Sequence, residues 1–301
     1  MSMKLKPLHK QAMVITGASS GIGLATAEAA ARRGVKLVLV ARSEEALHEI
    51  THRINSTGGV AIAVPCDVAD RAQVERVAEE AMREFYRIDT WVNNAGLGMY
   101  GRLDEIDEID ARRLFDVNFW GVVNGSQAAL PYLKLEGGAL INVGSEVVDA
   151  CAPFLGMYNA TKQAVKGYTC ALRAEVQDVD KAPVSVTLIQ PTAVDTPFPQ
   201  HSRNYTPSEP KLSSSMIDPD RVAEAILDAA VVPTREKTVG GNAFLNALVW
   251  KLIPRAGKSS NGHLEGISST EAPRNPNGAL HEPSESTEFV GHTHGACHKG
   301  S

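Results

Sequence analysis

Tyr158-Asn159-Ala160-Thr161-Lys162 places a phenol and an ammonium at positions i and i+4. On a helix these lie on one face, one turn apart. A free phenol has a pKa near ~10 and is a poor base at neutral pH. A neighbouring ammonium favours the phenolate and is expected to lower that value. Such a pair could hand a proton to a carbonyl oxygen or take one from an alcohol. By itself the spacing also describes an ordinary surface pair. Here it has company: Ser145 lies just past an apolar run, thirteen residues before Tyr158, and Asn118 sits within Asp116-Val117-Asn118-Phe119-Trp120-Gly121.

A second constellation lies near the start of the chain. Thr16-Gly17-Ala18-Ser19-Ser20-Gly21-Ile22-Gly23 follows the apolar run Ala12-Met13-Val14-Ile15 and precedes an Ala-rich stretch reaching Arg33. This is a strand-to-helix turn, the setting a phosphate-binding loop requires. A helix N-terminus offers unpaired N–H groups and partial positive charge to a pyrophosphate. Gly17 allows the tight turn, and Gly21 and Gly23 let the backbone approach phosphates and the helix pack on the strand. The spacing is Gly-x-x-x-Gly-x-Gly rather than Gly-x-Gly-x-x-Gly, and alone it could be a flexible turn.

The elements that must position these groups follow from the periodicity. Strands are predicted over 12–15, 35–40, 60–64, 89–92, 139–143 and 184–189, with a last short one over 237–239. Helices are predicted over 24–33, 44–55, 70–86, most of 106–134, 158–178 and 220–230, with Asp70 as an N-cap. The run from Val35 to Val40 is apolar apart from Lys36, as a strand covered on both faces requires. Strands alternating with such helices predict right-handed βαβ crossovers and an α/β fold with a parallel, doubly wound sheet of about seven strands. Ligands of such sheets bind beyond the carboxyl ends of the strands. Gly17, Arg42, Asp67, Asn93, Ser145 and Pro191 all fall there.

The composition sets bounds. The 301 residues are 43% hydrophobic with a net charge of −5, which gives no basic field for nucleic acid or an anionic membrane. Cys66, Cys151, Cys170 and Cys297 are widely spaced, as expected of reduced thiols in a cytoplasmic protein. Met1 to Lys10 is a basic lead-in without the apolar core of a signal peptide. Phe244 to Ile253 is too short to span a bilayer and reads as a packed or interfacial helix. One domain is expected over 11–255, with a low-complexity tail over 256–301 that lacks the apolar residues to offset ordering. His292, His294, Cys297 and His298 in that tail have no scaffold to fix metal-ligand geometry, so no metal site is expected.

Taken together, Thr16-Gly-Ala-Ser-Ser-Gly-Ile-Gly23, Asp67-Val68, Asn93-Asn-Ala-Gly96, Asn118, Ser145 and Tyr158-x-x-x-Lys162 resemble the motifs of a classical short-chain dehydrogenase/reductase, in order and spacing, over about residues 10 to 240. The resemblance implies a Rossmann-type domain, a nicotinamide dinucleotide and an Asn-Ser-Tyr-Lys tetrad. It makes Tyr158 the general acid/base and Ser145 the group that orients the substrate oxygen. Lys162 would lower the tyrosine pKa and bind the nicotinamide ribose, and Asn118 would help hold a proton-relaying water. Cofactor contacts are implied for Gly17, Ser19, Ser20, Gly21, Ile22, Gly23, Asp67 (to adenine), Val68, Asn94, Ala95, Gly96, Tyr158, Lys162 and Pro191, with Thr16 and Asn93 bracing the strand ends. The family's common Pro-Gly after the sixth strand is here Pro191-Thr192, followed by Val194 and Thr196 near the expected nicotinamide amide. Where NAD enzymes carry an acidic residue, this chain has Ala41-Arg42. A guanidinium can grip a 2′-phosphate bidentately, so NADP(H) is expected over NAD(H).

Residues 193–217 fall where the family places a substrate lid. Val147, Val148, Phe154, Leu155, Met157 and Phe198 fit either a hydrophobic substrate or core packing. Steroids, acyl chains, sugars and xenobiotic ketones all suit such a site. The resemblance also implies a homodimer or homotetramer joined through the helices carrying Asn118 and Tyr158. Besides a carbonyl reductase or alcohol dehydrogenase, the fold admits a cofactor-binding scaffold without turnover, and an epimerase or dehydratase.

Overall fold

Short runs of Val, Ile, Leu and Ala build the sheet: β1 (Ala12–Thr16), β2 (Lys36–Ala41), β3 (Val60–Pro65), β4 (Thr90–Asn93), β6 (Gly138–Val143), β7 (Val184–Pro191) and β9 (Glu236–Val239). Two further strands, β5 (Met99–Tyr100) and β8 (Arg203–Asn204), pair apart from it. The helices are α1 (Gly21–Ala31), α2 (Glu44–Ser56), α3 (Arg71–Phe85), α4 (Glu108–Phe115), α5 (Gly121–Glu136), α6 (Gly156–Ala174), α7 (Phe198–His201) and α8 (Pro219–Ala229). The computed structural model describes residues 4–149, 153–210, 216–240, 272–273 and 275–283.

The sheet order is β3-β2-β1-β4-β6-β7-β9, and every pairing is parallel. Alternate residues of each strand feed opposite faces. Met13, Ile15, Leu37 and Leu39 join one apolar cluster with Leu24 of α1, Leu47 of α2 and Val222 of α8. Ala12, Val14, Val38 and Val40 join the other with Val74 of α3, Leu130 of α5 and Leu172 of α6. The doubly wound parallel sheet expected from the periodicity is therefore the fold. The strand order reverses between β1 and β4, the place where such sheets hold ligands.

The structure departs from the sequence reading in three places. The long helix expected over 106–134 is α4 and α5 joined by one wide, π-type turn at Asp116–Trp120, a feature often found at functional sites. Strands β5 and β8 were not expected, because two residues carry no readable alternation. Residues 275–283, within the stretch expected to lack structure, are folded against the domain, with Ala279 and Leu280 buried. The expected helix over 244–253, Cys151, Cys297 and the tail histidines lie outside the described residues. Among the described residues, no helix is long and apolar enough to cross a membrane, and no group of three His, Cys, Asp or Glu could hold a metal ion.

The lead-in is part of the fold. Lys6 Nζ donates to Asp89 Oδ1 at 2.8 Å, while Arg87 Nε and the Ala12 amide donate to Asp89 Oδ2 at 2.7 and 2.8 Å. Asp89 is 3% exposed. Burial pushes its carboxyl up, but the bonds from Arg87 and Lys6 outweigh that and hold it below its ordinary value. A depressed carboxylate adds stability above pH ~4 that is lost as the pH falls. Asp89→Asn is expected to cost about 2 kcal/mol at pH 7. Urea titrations should show the difference from the native chain shrinking below pH ~4.

Candidate active site

β1 ends in Thr16, and the chain turns through Gly17 with φ +66°. A side chain there would meet the Cα of Ala95 at 2.8 Å, and one at Gly23 would run into the Gly17 carbonyl oxygen and sit 2.7 Å from Asn94 Nδ2. Bare backbone is therefore required at both. Ser20 caps α1 without a side-chain bond, and Ser19, Ser20, Gly21 and Ile22 line an open cleft. Thr16 Oγ1 accepts from the amides of Asn94 and Ala95 at 3.0 and 3.1 Å, and Asn94 Nδ2 donates to the Thr16 carbonyl at 2.9 Å. Side chains thus join the ends of β1 and β4.

The second constellation faces the first across the same cleft. Ser145 follows β6, and Tyr158 and Lys162 lie in the first two turns of α6, all three lining the cleft. The Tyr158 and Ser145 hydroxyls are hydrogen-bonded. Lys162 Nζ donates to the Val143 carbonyl at 3.0 Å and lies 5.9 Å from the Tyr158 ring centre. It is only 5% exposed. Gly96 lies against it: a Cβ there would sit 3.3 Å from Lys162 Nζ and 3.4 Å from Asn118 Oδ1.

Burial sets the proton affinities. It pushes the Tyr158 phenol up to about 12, with the Ser145 bond pulling the other way. It pushes the Lys162 ammonium down to about 8. Burial thus holds the phenol above its ordinary value and the ammonium below its own. Both charged forms lose their water, and the lysine's bond is to a backbone carbonyl.

Asn118, in the wide turn, is fully buried. Its Oδ1 accepts from the Leu97 amide at 2.8 Å, and its Nδ2 donates to the Leu97 carbonyl at 2.9 Å and to Thr161 Oγ1 at 3.0 Å. The side chain itself braces the loop after β4 against α6. Below it, Asn93 Nδ2 donates to Asn142 Oδ1 at 2.9 Å, and Asn142 Nδ2 donates to Thr169 Oγ1 of α6 at 2.9 Å.

The cleft holds about 480 Å³, in the range of ligand sites. Arg42, Asp67, Val68, Ala95, Gly96, Pro191, Val194 and Thr196 line it as well, whereas Gly23 and Asn118 lie behind its wall. The Asp67 carboxylate is paired with Arg113 Nη2. Thr192, where the family has Gly, donates its amide to the Val239 carbonyl at 3.0 Å and extends the β7–β9 pairing. The ends of the lid segment are tied by the Ile217 amide to Ala193 and the Asp195 amide to Ile217, each at 2.9 Å; residues 211–215 lie outside the described residues. Of the apolar candidates, Leu155 and Phe198 line the cleft, and Phe198 packs edge-on to Tyr158 at 5.4 Å. Met157 packs on the core instead, and Val148 is buried off the cleft. The side chain of Val147 is outside the described residues. Tyr100, His201, Ala279 and Pro283 were not anticipated. They reach the cleft by tertiary contact from segments with no motif.

The glycine turn and the Ser-Tyr-Lys cluster thus oppose each other in one cleft. The model of the short chain dehydrogenases matches residues 11–206. The chain belongs to the short-chain dehydrogenase family. This dehydrogenase is 45% identical over 256 residues to an uncharacterized oxidoreductase, YxnA, of Bacillus subtilis, spanning 84% of the chain and 72% of the relative. An alcohol dehydrogenase from Thermococcus sibiricus, solved with 5-hydroxy-NADP, superposes with a TM-score of 0.67 at 31% identity over 76% of the chain and 96% of that structure. A short-chain dehydrogenase/reductase from Burkholderia phymatum, solved with NAD, gives 0.70 at 26% identity, over 90% and 99%.

Proposed function

We propose that this oxidoreductase uses NADP(H) to interconvert a carbonyl compound and a secondary alcohol, with Tyr158 exchanging the proton. The observation that carries this is the Ser145–Tyr158–Lys162 cluster opening onto the same cleft as the glycine turn at Gly17 and Gly21. That turn fits a dinucleotide: Gly17, Ser19, Ser20, Gly21 and Ile22 line the cleft where α1 begins, and a Cβ at Gly17 or Gly23 would collide with the backbone that shapes the turn. A nicotinamide dinucleotide bound along the cleft supplies the hydride.

The protein's share is proton chemistry and positioning. Ser145 donates toward the substrate oxygen and holds the Tyr158 hydroxyl in line. With a phenol at about 12, Tyr158 carries its proton at neutral pH and serves reduction directly. Lys162, held by the Val143 carbonyl beside Gly96, keeps positive charge beside the phenol and would hold the nicotinamide ribose. Asn118 holds the geometry by tying Leu97 to Thr161. Phe198 and Leu155 give the substrate end an apolar wall that excludes water. A scaffold role without turnover does not require a serine hydrogen-bonded to the tyrosine.

Tyr158→Phe is expected to lower kcat about 10³-fold. Nicotinamide dinucleotide affinity, followed by fluorescence, should stay within about twofold. Wild-type turnover in that variant would end the assignment.

Arg42 supports the NADP(H) reading, since it lines the cleft just after β2, which ends in Ala41 rather than an acidic residue. Arg42→Ala should lower kcat/KM with NADPH at least about tenfold and leave NADH nearly unchanged. A chain that prefers NADH regardless of Arg42 would refute it.

We also infer a homo-oligomer through the α5–α6 face, where Trp120 is 51% exposed beside Phe119 and Tyr168. Light scattering after size exclusion should report a dimer or tetramer. A monomer at micromolar concentration would remove this.

A further inference from the structure

Residues 275–283 reach the cleft beside Arg42, and α7, β8 and α4 hold them there. The Ala279 amide donates to the His201 carbonyl at 2.9 Å, and the Asn204 amide donates to the Pro276 carbonyl at 2.8 Å. Arg203 Nη1 donates to the Pro276 carbonyl at 2.9 Å. His281 Nε2 meets Asp110 Oδ1 at 2.7 Å, on a carboxylate that also accepts from Arg203 and Tyr205. Leu280 is fully buried and shares an apolar cluster with Val68 and Val117, which line the cleft. Gly278 turns with φ +58°, so close to the lid that a Cβ would sit 2.5 Å from the Ser202 carbonyl oxygen and 2.6 Å from that of His201.

What this strap does at its centre concerns Arg42. Arg42 Nη1 donates to the Leu280 carbonyl at 3.2 Å, and Nη2 donates to the Ala279 carbonyl. Arg113 Nε donates to the same Leu280 carbonyl at 3.2 Å while its Nη2 pairs with Asp67. Two guanidinium groups therefore converge on one carboxylate and two neutral carbonyls. Two of these three charged groups are cationic, and backbone dipoles satisfy the end of Arg42 that a phosphate would take.

We propose that residues 275–283 act as an internal competitor for the phosphate end of the dinucleotide site: NADP(H) must take Arg42 from the strap, whereas NAD(H) need not. The proposal rests on the reading of Arg42 as the 2′-phosphate ligand. A dianionic phosphate is the stronger partner for a guanidinium, so binding goes forward, but apparent affinity is reduced by the fraction of molecules with the strap docked. The cofactor level would thereby set the strap's position, and with it the lid at His201 to Asn204 to which the strap is tied.

Gly278→Ala in the full-length chain tests this, because the added methyl collides with the backbone carbonyls of Ser202 and His201 rather than with Arg42. NADPH, NADH and 2′-AMP are titrated against the native chain, Gly278→Ala, Arg42→Ala and the double variant. If the strap is docked in about nine molecules of ten, Gly278→Ala tightens NADPH and 2′-AMP about tenfold, leaves NADH within twofold, and loses the gain in the Arg42→Ala background. Hydrogen exchange on the native chain supplies the second measurement: saturating NADPH, but not NADH, should speed exchange of the Ala279 amide. Unchanged or weaker NADPH binding in Gly278→Ala, or protection of Ala279 by NADPH, overturns the competition while a strong Arg42→Ala effect leaves the NADP(H) assignment standing. An Arg42→Ala variant with undiminished NADPH affinity sinks both.

Discussion

A chain of buried amides and hydroxyls decides where the chemistry sits. Asn93 at the end of β4 bonds Asn142 in β6, and Asn142 bonds Thr169 in α6. Asn118 ties the loop after β4 to Thr161, again in α6. Thr16 closes the other side by accepting from the residues after β4. Buried polar groups must find partners, and an unmet one costs about 1–3 kcal/mol. The arrangement that meets them all holds α6 in one place on the sheet. Tyr158 and Lys162 ride on α6, so their position relative to the glycine turn is set from beneath rather than by contacts within the cleft.

The same burial shapes the electrostatics. With little water to stabilise either ion, the phenol keeps its proton and the ammonium is reluctant to keep its own. That favours donation to a carbonyl oxygen. The Arg42 end of the cleft is built on the opposite principle. There Arg42 and Arg113 are placed around a single carboxylate, and the surplus charge is met by backbone carbonyls of a segment far along the chain. One end of the cleft is tuned by taking charge away from water, the other by gathering two guanidinium groups around one carboxylate and two carbonyls.

Much of the fold was legible in the residues. Runs such as Lys36-Leu37-Val38-Leu39-Val40 mark strands covered on both faces, and the Ala-rich and Glu-rich stretches between them mark crossover helices. The boundaries fell within a few residues, with the exception of the 106–134 stretch. Its wide turn at Asp116–Trp120 reflects a tertiary demand, the seating of Asn118 on Leu97 and Thr161, that helical periodicity does not encode. Strands β5 and β8 were invisible for a related reason. Two residues form a strand only when a partner already lies alongside.

By itself the sequence determined which groups could react and which element would carry each. Glycine at 17 and 23, Tyr158 one turn from Lys162, and Arg42 at a strand end are local facts of spacing and side-chain type. Tertiary structure alone decided the proton affinities, because desolvation depends on everything packed around a group. It alone decided that Ala279 and Leu280 would reach Arg42. Their segment is polar and rich in Gly and Pro, with too little apolar surface to order itself. It takes a fixed course only because the lid, α4 and the end of β2 together present the partners its backbone needs.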